Sequence, residues 1–148
     1  MSIIFSGWFA VNILAPLLLP VIGIFPLKLV PMGPGVAASL RLMATVKDGQ
    51  LCWAAVAMGA SSLYELWVAL AAKNAAASGS GVLFFLICLL MLPAMILAAA
   101  GSAFSTTLLT TPAGGIWAWC SHYSAFVGSC VLCALTAFVY TVLHWQLS

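Results

Sequence analysis

The sequence predicts an all-α integral membrane protein: four transmembrane helices in an up-down antiparallel bundle, with a short interfacial helix between the first two. Three observations carry this. The chain has 148 residues, 66% of them hydrophobic and 4% charged, with a mean hydropathy of +1.25, whereas about a quarter of the residues of a soluble domain are charged. Its apolar residues fall into four long runs, each near the roughly 20 residues needed to cross a hydrocarbon core about 30 Å thick. Between the later runs lie "KNAAASGSG" and "STTLLTTPAGG", whose Gly, Ser, Thr and Pro favour turns. The whole chain, 1–148, therefore reads as one transmembrane domain.

The first span covers about 4–25. No Lys or Arg precedes it and no small-x-small site interrupts it, so it is expected to remain as a span rather than be cleaved as a signal peptide. Pro16 and Pro20 lie inside it and Pro26 ends it. Each internal proline removes a backbone bond and clashes one turn back, which predicts a kink or an unwound turn near the middle.

The connection that follows is longer than a turn requires. Its "PMGP" breaks any helix, but Val36, Leu40, Met43 and Val46 recur at helical spacing, with Arg41 and Lys47 placed to reach lipid head groups. That pattern predicts an interfacial helix over about 36–47, with a loop folded back on the protein as the alternative.

Spans two, three and four cover about 51–72, 82–104 and 117–143, and Pro93 predicts a break in span three like those in span one. Span four carries the clearest periodicity: Ala125, Ser129, Cys133, Ala137 and Thr141 recur every fourth residue as a stripe of small side chains. Ala94, Ala98 and Ser102 repeat the pattern on span three, and Ala55 and Gly59 on span two. In lipid, helices associate through close van der Waals packing, which small residues permit. The stripe does not say whether its partner is in the same chain or another. Trp8, Trp53, Trp67, Trp117, Trp119 and Trp145 fall near span ends, the expected aromatic belts.

Lys28, Arg41 and Lys47 lie in the first connection and Lys73 in the second, with none in the third or in either tail. Three basic residues against one place the first connection in the cytoplasm and both termini outside, in a bacterial inner membrane or an organelle membrane. A net charge of +2 is too small for a nucleic-acid partner. Partners are expected to be the bilayer and other membrane subunits or further copies of this chain.

Glu65 and Asp48 are the only acidic residues. Glu65 lies about 12 Å before Lys73 along the helix axis, below the interface but short of the midplane. A charge at the bilayer centre costs roughly 2.5–3.5 kcal/mol, so protonation or a hydrogen-bonded partner is expected. Counting inward from the same face places Asn12, Cys88, Thr136 and Tyr140 at that depth. Asn12, Glu65 and either Thr136 or Tyr140 are predicted to form one intramembrane polar layer. No basic side chain is expected level with Glu65, so a protonated carboxyl donating a hydrogen bond is the simplest solution.

Other chemistries are poorly supplied. Five cysteines, at 52, 88, 120, 130 and 133, do not imply a disulfide framework, and a thiol of the Cys130–Cys133 pair held in lipid stays protonated and unreactive. Cys52, Cys120 and His122 are weak candidates for a metal; otherwise none is expected. His122 and His144 lie about 33 Å apart on one helix and cannot share a haem, and no cofactor is expected. Two acidic residues leave almost nothing for acid–base work, so no catalytic residues are assigned and an enzyme is not expected. The expected role is a non-catalytic partner for other membrane helices: a small subunit, an assembly factor, or a protective, immunity-type partner of a larger complex. The alternative is a proton- or cation-coupled transporter or channel acting as a homo-oligomer through Glu65.

Overall fold

A computed structural model of the chain describes residues 2–22, 48–72, 80–103 and 114–147. The interfacial helix expected over 36–47, and Lys28, Arg41, Lys47 and Lys73, lie outside these residues. Every regular element among the described residues is helical. In order they are α1 (Ser2–Phe9), a π-helical turn (Ala10–Leu14), α2 (Ala15–Ile22), α3 (Cys52–Ala71), α4 (Ser80–Ala103), α5 (Ile116–His122) and α6 (Ser124–Leu147). Three segments are long and apolar enough to cross a membrane: Cys52–Ala71, Gly81–Ala103 and Ser124–Leu147. A shorter apolar helix, Phe5–Leu19, lies within the first span expected over 4–25.

The proline-rich first segment bends its hydrogen bonding rather than breaking. Pro16 has no N–H for the carbonyl four residues back, and its ring crowds that carbonyl. The chain widens by one residue just before it: Ala15 N–H bonds Ala10 O, five residues back. Pro16 then falls in the first turn of α2, where a missing N–H costs little. At Pro93 no unwound turn forms, because α4 continues through it from Ser80 to Ala103.

The fourth predicted span is divided. α5 ends at His122, the backbone of Tyr123 (φ −104°, ψ 39°) leaves the helical region, and α6 starts at Ser124 and runs to Leu147, beyond the expected end at 143. Ile116 and Trp117 of α5 are exposed, and Trp119 packs edge-on against Phe126 of α6, ring centroids 6.2 Å apart.

α3 is the central helix, packed against both α4 and α6, which also touch each other. The small-residue stripes meet inside the chain: Ala55, Ala94, Ala98, Ser129 and Cys133 are buried, and Ala55, Ala94, Ala98 and Cys133 share one core cluster with Ile13, Met58 and Tyr140. A Cβ on Gly59 would stand 2.5 Å from Met91 Cγ, and one on Gly101 would overlap Asp48 O. Ala125, Ala137 and Thr141 of the stripe are only half-buried.

The turn before α3 sits under the last turn of α4. Gly49 takes φ +83°, a left-handed conformation that glycine supplies at little cost, and Cys52 N–H bonds Gly49 O at 2.9 Å. The Cys133 thiol donates to Leu51 O at 2.9 Å, fastening α6 to the same turn. At the opposite end of the bundle a second cluster, Leu66, Ile87 and Leu143, joins the end of α3, the start of α4 and the end of α6.

Candidate functional site

At that second end, level with the last turns of α3 and α6, α1, α3 and α6 converge on Glu65. α1 presents Trp8, and Asn12 follows one turn later on the π-helical turn. Glu65 lies on α3 one turn after Ser61, while α6 presents Tyr140 and, one turn further, His144. The helical period of ~3.6 residues is what stacks Trp8 with Asn12 and Tyr140 with His144 on single faces.

The carboxylate is gripped at both oxygens. Trp8 Nε1 donates to Glu65 Oε1 at 2.8 Å, and the Tyr140 hydroxyl donates to the same oxygen at 2.9 Å. Asn12 Oδ1 lies 3.2 Å from that hydroxyl as a second acceptor, while Asn12 Nδ2 donates to Trp8 O at 3.0 Å. Asn12 thus ties the widened backbone of the π turn to α6. Glu65 Oε2 faces His144 Nδ1 at 3.1 Å, with the two side chains 25% and 21% exposed. The expected absence of a basic group level with Glu65 is therefore overturned. Matching by axial depth alone put His144 one turn too shallow, and the reach of the carboxyl closes that gap.

Trp8 organises both members of the pair. Its ring lies flat on the His144 imidazole, centroids 3.8 Å apart and planes 9° apart, while its N–H holds Glu65. Phe5 and Trp145 meet edge-on with centroids 6.3 Å apart, and Phe5 also reaches His144. Trp8, expected in the interfacial belt, is half-buried in this centre.

An indole N–H can only donate, so Oε1 accepts from Trp8. Oε2 and His144 Nδ1 lie within hydrogen-bond distance, and the imidazole tautomer sets which of them donates. The centre opens on one side into a groove of about 280 Å³ lined by Tyr64, Glu65, Val68, Ala69, Ala72, His144 and Leu147.

Of the predicted polar layer, Tyr140 bonds Glu65 directly and Asn12 joins it through the Tyr140 hydroxyl. Thr136 does not: it is buried, and its hydroxyl donates to Leu132 O of its own helix at 2.8 Å. Cys88 is half-buried on α4. Trp8 and His144 were missed, although each lies four residues from a predicted member. Among the described residues no three His, Cys, Asp or Glu side chains come close enough to hold a metal ion, so Cys52, Cys120 and His122 are not brought together. Cys52 is buried at the start of α3, and Cys120 and His122 belong to α5. No family model, curated protein or solved structure matches this chain.

Proposed function

We propose that this chain is a non-catalytic, multi-pass membrane protein of four spans. In this reading it packs against partner membrane helices as a small subunit, assembly factor or protective partner of a larger complex. The first segment, helical over 2–22, measures about 31 Å at 1.5 Å per residue, which is long enough to serve as the fourth span. The supporting observation is polar self-sufficiency: among the described residues, no buried side-chain nitrogen or oxygen lacks a hydrogen-bond partner. The polar groups satisfy one another inside, and the small-residue stripes are largely spent within the chain. What α3, α4 and α6 offer to neighbours is large and apolar: Trp67, Phe84, Phe85, Leu92, Ile96 and Phe138 are all exposed. Purification in a gentle detergent followed by native mass measurement tests this. A hetero-complex of defined stoichiometry is expected, and recovery of only free chain or a pure homo-oligomer ends the reading.

A second reading has its own observation. Glu65 Oε2 and His144 Nδ1 lie 3.1 Å apart beside an open groove, an arrangement suited to a proton- or cation-coupled transporter or channel built from several copies of this chain. In proteoliposomes, Glu65→Gln is expected to abolish such coupled flux. Flux equal to that of the unaltered protein discards the reading.

A further inference from the structure

We propose that the groove between the ends of α3 and α6 binds one membrane lipid through a primary ammonium headgroup, with the ammonium donating to Glu65 Oε2. This goes beyond both functional readings, since it requires neither a partner complex nor flux.

The argument begins with the unused capacity of the carboxylate. An ionised carboxylate offers about four lone-pair positions. Trp8 and Tyr140 occupy Oε1, and His144 is the one contact of Oε2 among the described residues. Among those residues one acceptor position remains on the oxygen beside the groove. Glu65, one of only two acidic residues in the sequence, borders an opening walled by Val68, Ala69, Ala72 and Leu147. A complementary ligand has an N–H-bearing cationic head and an apolar body. A primary ammonium has three donors; a quaternary ammonium has none and leaves Oε2 unfilled.

Depth selects the source as a lipid rather than a water-borne amine. α6 has 24 residues, about 36 Å at 1.5 Å per residue, so when centred it overhangs a 30 Å core by ~3 Å at each end. His144 lies three residues before the end of α6, about 4.5 Å along the axis, and so within ~2 Å of the hydrocarbon boundary. That is where a lipid ammonium can dip toward a carboxylate while its chains lie along the groove. Tyr64, 70% exposed at the groove, adds an aromatic face at the same level. The neighbouring α4 carries no charged residue from Ser80 to Ala103, so no second charge from that helix competes.

The test uses the full chain in nanodiscs of phosphatidylethanolamine, phosphatidylcholine and phosphatidylglycerol with matched acyl chains, released for native mass measurement of retained lipid. One phosphatidylethanolamine per chain is expected, favoured over phosphatidylcholine by about five-fold, the preference of a half-exposed ion pair. Glu65→Gln should reduce this to near parity. Ala72→Leu, which fills the rim of the groove and leaves the Glu65 contacts in place, should do the same, and it carries the test if Glu65→Gln does not fold. Preferential retention of phosphatidylglycerol overturns the proposal, because it requires a cationic site. So does an unchanged preference in the folded variants. Dodecylamine added to phosphatidylcholine discs should occupy the same site, and its failure to distinguish wild type from Ala72→Leu also overturns it.

Discussion

At the scale of single residues, Glu65 is held by groups that differ in how replaceable they are. Trp8→Phe removes the only obligate donor on Oε1 and keeps an aromatic ring over His144. A hydrogen bond to a charged group is worth about 1.5–3 kcal/mol, and a loss of that size is expected in the thermal stability of the purified protein. In the double variant with Glu65→Gln the two losses should not add, because both remove the same contact. Tyr140→Phe should cost about 1–3 kcal/mol, since it takes a donor from Glu65 and leaves Asn12 Oδ1 without one. Thr136→Val should stay within about 1 kcal/mol, since that hydroxyl bonds only its own helix. Equal losses for Tyr140→Phe and Thr136→Val would show that the two hydroxyls play the same part, contrary to their contacts.

Among elements, close approach determines the cost of a single methyl group. Gly59→Ala drives a Cβ against Met91, a side chain that can turn away, and should cost about 1–3 kcal/mol. Gly101→Ala drives one into the Asp48 carbonyl, which is backbone and cannot turn away, and should cost more than Gly59→Ala. Denaturation of the two variants side by side checks the order; the reverse order would place the α4 end elsewhere. The same scale explains what was legible. The four-residue periodicity of span four identified a packing face because small residues have few other uses in lipid. It could not reveal that α3 and α4 supply the opposing face, since that depends on how the helices are arranged around one another. Pro16 signalled a local departure from α-helix. The sequence did not reveal that the departure would be a π turn, nor that Pro93 would leave α4 continuous.

For the whole molecule, the two ends of the bundle differ. One end holds the turn 48–51 beneath Gly101, and the other holds the Glu65 centre, with Trp67 and Trp145 exposed nearby. The basic-residue count predicts that the Glu65 end faces outward. In a cysteine-free variant carrying Trp145→Cys, a membrane-impermeant maleimide added to intact cells is expected to label the protein. Labelling only after permeabilisation would invert the orientation.

The sequence by itself determined the solvent of this protein and much of its secondary structure. A chain with 4% charged residues cannot remain in water, and in lipid its backbone must satisfy itself within helices. It also named Glu65 as the residue that demands partners, and antiparallel depth placed Asn12, Cys88, Thr136 and Tyr140 at its level. Only the tertiary structure decided the rest of the centre. Depth is a property of one helix at a time, whereas contact depends on helix rotation and side-chain reach. Those brought Trp8 and His144, each one turn outward, onto the carboxylate and turned Thr136 back onto its own backbone.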